Sequence, residues 1–392
     1  MRDNVNMQAW PDRRLLDLLK LKIPIIQAPM AGSDSVALAR TVSSTGALGS
    51  LACPLLSPDQ VREAVQALRQ GMTRPFNLNF FCHTMEAPDA AAIQKWKTFL
   101  GPHYERLGID IESVGESRLR LPFNDDMCTV VEEIRPEVVS FHFGLPNPDL
   151  VERLKRQGIK ILSSATSVRE AKWLVSRGCD AIIAQGFEAG GHRGMFLETN
   201  IGTQLGLFAL LPQVRDAVSV PVIAAGGIAD ARGIVAALAL GASGVQLGTA
   251  YLFCPEANVS PLYRRALEQA ADKGTALSNL FSGRPPEAFS TGIFRNRDRC
   301  PTRLLLSPTQ QRSLHPCVPL PSGRVRWTTC SCGLVRRQDL QSQCQRISSL
   351  GSLQQTYLGN CTRDRAHDAL RMPTTSRGHG FYPVLLHFDS HP

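Results

Sequence analysis

From Ile23 onward the chain alternates short apolar runs with longer stretches of helical period, the signature of strands and helices taken in turn. The strand candidates are IPIIQAPM (23–30), ALGSLAC (47–53), FNLNFFC (76–82), VVSFHF (138–143), KILSSAT (160–166), AIIAQG (181–186), PVIAAGG (221–227) and GVQLGT (244–249). As both-sided apolar runs rich in Ile, Val and Ala, they suit strands buried on two faces of a parallel sheet. Helix boundaries lie between them. Ser57 caps a helix with Pro58 in its first turn and Gly71 beyond its end. Ser167 with Glu170 reads as a capping box closed by Gly178, and Asp230 and Gly241 bracket another helix. Residues 83–125 form a longer insertion carrying the helical pattern AAAIQKWKTFL. Strand count favours a closed α/β fold, a (β/α)8 TIM-type barrel, over an open doubly wound sheet.

A barrel does its chemistry at the C-terminal strand ends. AGGI (225–228) ends the seventh strand and GT (248–249) the eighth, which predicts a phosphate site built from backbone N–H groups and a Thr hydroxyl. Tight-turn chemistry alone is the competing reading. The sixth strand runs into GFEAGGHRGMF (186–196), whose glycines leave a bare, mobile backbone around His192 and Arg193 at the mouth. A solvated loop is the plainer alternative. On the fourth strand, alternation sets Ser140 and His142 on one face and Phe141 and Phe143 on the other. His142 is then either a bonded core residue or a group for proton transfer. Asn79 and Gln185, amides at the ends of strands three and six, suit the carbonyls and nitrogens of a flavin ring or could hold loop backbone.

Charge changes the picture only when divided along the chain. The net +9 resides wholly in residues 284–392, where 15 Arg and no Lys face 6 acidic residues; residues 1–283 are neutral. The last segment also holds 6 of the 11 Cys. The other five, Cys53, Cys82, Cys128, Cys179 and Cys254, show no C-x-x-C spacing and read as reduced thiols, and no metal-ligand cluster is expected. No apolar run approaches the ~18 residues of a membrane span. The N-terminus has no signal-like apolar core, so a cytoplasmic location is expected.

Taken in order, IPIIQAPMAG, FNLNFF, SFHFG, AIIAQGFEAGGHRG, PVIAAGGIAD and GVQLGTAYL resemble the nitronate monooxygenases over residues 12–285. The resemblance implies a barrel with non-covalent FMN and no metal. It also implies oxidation of a nitronate to an aldehyde or ketone with nitrite release, and reoxidation by O2 without NAD(P)H. By motif matching, Asn79, Gln185, Gly190, Gly227, Gln246, Leu247, Gly248 and Thr249 would hold FMN, and APM (28–30) would lie beneath its ring. His192 matches the family's GGH histidine, a base or substrate anchor, and His142 its second active-site histidine. Arg193 beside His192 would help hold an anionic substrate at the mouth. The partners implied are a small nitronate or nitroalkane and O2, with no membrane; a homodimer is compatible. Two alternatives stand beside this: an NAD(P)H-dependent reductase of a quinone or enoyl thioester on the same barrel, and an inactive protein binding polyanions through its basic tail.

The resemblance ends at SGRP (282–285), dividing the chain into a barrel domain, 1–285, and an Arg/Cys/Pro/Ser-rich tail, 286–392. The family's Ala-rich helical continuation, with its Tyr, Tyr and Lys at the substrate pocket, has no counterpart here, and reduced turnover is expected. Three readings of the tail compete: a disordered polyanion-binding segment, a small metal or disulfide module around Cys330 and Cys332, and translation out of frame from a point near Pro285. The third explains the abrupt change of composition best.

Overall fold

A computed structural model describes residues 10–85, 90–113, 121–268, 275–277 and 286–289. Apart from 286–289, the expectations for the tail lie outside the described residues. All eight expected strands form: β1 (Ile25–Gln27), β2 (Gly49–Ala52), β3 (Phe76–Phe81), β4 (Val138–His142), β5 (Lys160–Ala165), β6 (Ala181–Gln185), β7 (Val222–Ala225) and β8 (Gly244–Leu247). They pair in parallel in sequence order, and β8 pairs with β1. A parallel bridge between Ile26 and Leu48 joins β1 to β2 and closes the barrel.

That closing seam is short, and a side chain extends it. Gln27, fully buried, donates from Nε2 to the Ser50 carbonyl and accepts from the Ser50 N–H at Oε1, both at 3.0 Å. The side-chain amide thus supplies two bonds that a longer ladder would make. Gln27→Leu keeps the bulk but strands both Ser50 groups, and is expected to cost about 2–5 kcal/mol of stability. Urea denaturation measures this, and a change below ~0.5 kcal/mol would show that the seam does not depend on Gln27.

Alternation makes the barrel interior graded. Ile26, Leu48, Val138, Leu162, Ala181, Ile183 and Ile223 fill the lower part together with Leu15, Leu16 and Leu19 of the helix Arg14–Leu19, which plugs the base. Asp12 anchors this plug through Arg14 (2.7 Å) and Ser243 (2.6 Å), and Arg14 donates to the Ser219 carbonyl. Higher up, the inward positions of β3, β4, β5, β6 and β8 are polar: Asn77 and Asn79, Ser140 and His142, Ser164, Gln185 and Gln246. Apolar base and polar mouth follow directly from residues two apart on the same strands.

The helices cap as the sequence implies, with one difference. Ser57 and Gln60 make a reciprocal capping box, and Asp230 accepts from the Gly233 N–H. Ser167 accepts from the Glu170 N–H. The Glu170 carboxylate, however, does not return to Ser167; it bonds Thr166 and the backbone of Phe196 and Leu197. A second sheet lies off the barrel, in which Thr275–Leu277 and Gly191–His192 flank Pro286–Phe289, all antiparallel. Pro286–Phe289 lies on the tail side of the 285/286 boundary expected from composition. Among the described residues no helix is long and apolar enough to cross a membrane.

Candidate active site

The inward polar positions meet at the C-terminal ends of the strands. Asn79 Nδ2 donates to Ser140 Oγ (2.9 Å) and to its carbonyl (3.2 Å), and Asn77 Nδ2 reaches the same Oγ at 2.9 Å. One turn of alternation above Ser140 stands His142. Its Nε2 lies 3.1 Å from the His192 carbonyl, an acceptor only, so Nε2 carries the proton; Nδ1 lies 3.0 Å from Ser164 Oγ. Gln185 Nε2 donates to the same His192 carbonyl at 2.9 Å, while its Oε1 accepts from the Gly194 N–H at 2.7 Å.

The β6 loop is therefore tied down rather than bare and mobile. Gly194 serves close approach: a Cβ there would lie 2.9 Å from His142 Cε1 and 3.0 Å from Ser164 Cβ. Arg193 corrects the sequence expectation. Its side chain is buried, only 2% exposed, and donates to the carbonyls of Phe187 (2.7 Å), Ala189 and Gly191 (3.1 Å). It folds back as a staple of its own loop, because three carbonyls within six residues offer acceptors that the mouth does not. The anchoring of an anion therefore does not fall to this guanidinium.

His192 projects half-buried between aromatic rings, with centroids 5.9 Å from Phe81 and 6.0 Å from Phe143, both edge-on. Phe143 departs from the alternation that would set it opposite His142. Its φ is +69°, so the chain turns there and the ring comes to 4.5 Å from the His142 ring. Sequence reasoning also passed over His83, which is buried and edge-on to Phe81 and Phe143 at 6.2 Å. The signal existed, since His83 is two residues beyond the inward Phe81.

Beside the β6 loop, at the end of β7, Gly226 (φ +125°) and Gly227 (φ +66°) form a turn that side chains cannot follow. A Cβ on Gly226 would meet the Ala189 backbone nitrogen at 3.0 Å, and one on Gly227 the Glu188 Cβ at 3.2 Å. The β6 and β7 loops are thus packed backbone to backbone, with Gly190 and Gly227 exposed. Next to them, Gly248 precedes a 3-10 helix, Thr249–Phe253, that has no side-chain cap. Gln246 presents a buried Oε1 with no hydrogen-bond partner among the described residues. An orphan acceptor and a cradle of glycine backbone are what a bound group with N–H and phosphate functions would complete. A flavin carrying a phosphate group fits these residues.

Asp34, in the loop after β1, accepts at Oδ2 from Met30 N–H (3.0 Å) and Ala52 N–H (2.8 Å). Burial pushes its carboxyl up to about 6 despite these bonds. An unfolded Asp ionises near 3.8, so between that pH and about 6 the unfolded chain gives up a proton that the folded chain keeps. Stability therefore falls as pH rises through this window. Asp34→Asn is expected to melt above the parent at pH 8, by on the order of 2 kcal/mol, with that advantage shrinking toward pH 4. An offset that is the same at both pH values would contradict this. Burial likewise pushes the Cys128 thiol up to about 11 and the Cys179 thiol to about 12. All five barrel cysteines are free, and no group of metal-binding side chains occurs among the described residues.

Fold and site together define an α/β-barrel oxidoreductase whose mouth joins a glycine cradle to a histidine pair. The family profile of nitronate monooxygenase matches residues 12–341, and the chain belongs to that family, whose members are flavoproteins. The match begins at residue 12, where the resemblance begins, and runs past the end of that resemblance at 285. The nitronate monooxygenase of Paraburkholderia phytofirmans is 45% identical over 276 residues, covering 69% of this chain and 75% of its own. That of Pseudomonas aeruginosa is 41% identical over 283 residues, covering 72% and 80%. Among solved structures, nitroalkane oxidase from Streptomyces ansochromogenes superposes with a TM-score of 0.69 at 35% identity, over 77% of this chain and 85% of that one. An M276A mutant of FabK from Thermotoga maritima gives 0.56 at 30% identity, over 77% and 89%.

Proposed function

We propose that this protein binds FMN at the barrel mouth and oxidises small alkyl nitronates to carbonyl compounds, with nitrite release and O2 as the final acceptor. The observation that carries the reading is the adjacency of two features at the strand ends. One is the glycine cradle of the β6 and β7 loops with the Gln246 Oε1, unpartnered among the described residues; the other is His192, on the same β6 loop, held by its carbonyl and framed by Phe81 and Phe143.

In this reading the backbone of Gly190, Gly227, Gly248 and Thr249 would hold the phosphate. Asn79, Gln185, Gln246 and Leu247 would face the ring system. Bound FMN supplies the electron acceptor for the carbon–nitrogen centre. The protein's part is to bind, orient and move a proton. His192 anchors a nitronate through its ring N–H or, for a neutral nitroalkane, takes the α-proton on an unprotonated ring nitrogen. His142, with both nitrogens engaged, fixes the His192 backbone and the polarity of the wall. Phe81 and Phe143 exclude water and pack against the alkyl group. Barrel residues 1–285 carry all of these groups, and a cytoplasmic setting suits their reduced thiols.

The test is direct. Purified protein should show flavin absorbance, release FMN on denaturation as judged by mass, and form nitrite from a propyl nitronate. A colourless, folded protein that takes up no added FMN would end this reading. Similarity to FabK keeps a second reading in view, a reductase fed by NAD(P)H on the same barrel.

A further inference from the structure

Outside the barrel, on the helix Val168–Ser176, Glu170 is a fully buried carboxylate that forms no ion pair with any described residue. We propose that Glu170 is a positioning residue that sets where His192 stands in the mouth; its kinetic consequence rests on the function proposed above. All four of its acceptor sites are used. Oε2 accepts from Thr166 N–H (2.7 Å) and Thr166 Oγ1 (2.8 Å), and Oε1 accepts from Phe196 N–H (2.8 Å) and Leu197 N–H (3.1 Å).

A capping role would need one local bond. Two of these bonds instead reach 26 and 27 residues along the chain, to the far end of the loop that carries His192. Besides the pairing of Gly191–His192 with Pro286–Phe289, side chains of the described residues grip that loop at its start, middle and end. Arg193 gathers the carbonyls at its start, His142 and Gln185 hold the His192 carbonyl and the Gly194 N–H, and Glu170 holds the last two amides. Gly194 lies between the second and third grips with no room for a Cβ against His142. The Phe196 ring, packed on Trp173 at 5.1 Å, brings the loop end to the same helix. Only three residues separate His192 from Phe196, so slack at the Glu170 end passes to the imidazole.

The chemistry selects a carboxylate. Glutamine has the same shape, but its NH2 must face either two backbone N–H groups or that of Thr166, a donor against a donor. Glu170→Gln therefore separates loop holding from volume filling. Amide exchange in residues 190–198 should quicken by about tenfold or more while the barrel strands keep their protection. With FMN bound, kcat on a nitroalkane should fall by roughly 10–100-fold with KM and FMN content little changed. The limb of the pH profile that reports His192 should shift, and Glu170→Asp, which keeps the acceptors, should recover part of the loss.

Unchanged exchange at 190–198 in Glu170→Gln overturns the proposal. If that variant does not fold, Glu170→Asp decides: faster exchange confined to 190–198 supports it, and loosening spread evenly over the barrel overturns it. Should the parent fail to oxidise any nitronate, the exchange result still judges the loop, and the functional reading alone falls.

Discussion

Replacing His192 with alanine is expected to lower turnover of a neutral nitroalkane by about 10²–10⁴-fold, and turnover of the ready-made nitronate by clearly less. A neutral nitroalkane must lose its α-proton before or during oxidation, whereas a nitronate has already lost it. His192 is placed for this by bonds to its backbone: His142 and Gln185 both hold its carbonyl, and the imidazole lies between Phe81 and Phe143. Nitrite release from nitroethane and from ethyl nitronate, measured side by side, separates the roles. Equal losses on both substrates would remove the proton-transfer role and leave only anchoring.

A second large effect is expected at the cradle. Gly226→Val should weaken FMN binding by more than ~100-fold, because it acts twice. At φ +125° a β-branched residue is strained whatever the space around it. Its Cβ would also lie 3.0 Å from the Ala189 nitrogen and 3.3 Å from the Ala189 Cα, backbone that cannot swing aside as a flexible side chain could. The β6 and β7 loops would part, and the amides proposed to face the phosphate would part with them. Equilibrium titration of the purified variant with FMN measures this. A variant that binds FMN as tightly as the parent would show that the phosphate lies elsewhere.

The barrel was readable because its strands are apolar on both sides and its helices begin with Ser57, Ser167 and Asp230, local signals that tertiary packing reinforces. The polar mouth was readable for the same reason, since alternation from Ser140 leads to His142 without further information. What escaped the sequence depends on distant partners or on a single dihedral angle. The six-residue helix Arg14–Leu19 has too few turns to reveal a period, yet its leucines fill the barrel base. Arg193 and His192 are neighbours in a glycine-rich loop, and nothing local says that one turns inward to carbonyls while the other turns outward. Phe143 leaves its strand's alternation at one positive φ. Glu170 sits in a correct capping pattern but spends its carboxylate on a loop 26 residues away. Gln27 is one polar position in an apolar strand, and its use as a replacement for ladder bonds needs the neighbouring strand to be seen.

The most direct test of the central claim is anaerobic mixing of the FMN-loaded protein with propyl nitronate in one syringe and NADH in another, following flavin absorbance near its visible maximum. Bleaching by the nitronate, with little or none by NADH, is the expected result. Rapid bleaching by NADH and none by the nitronate would contradict it and assign this barrel to the reductases.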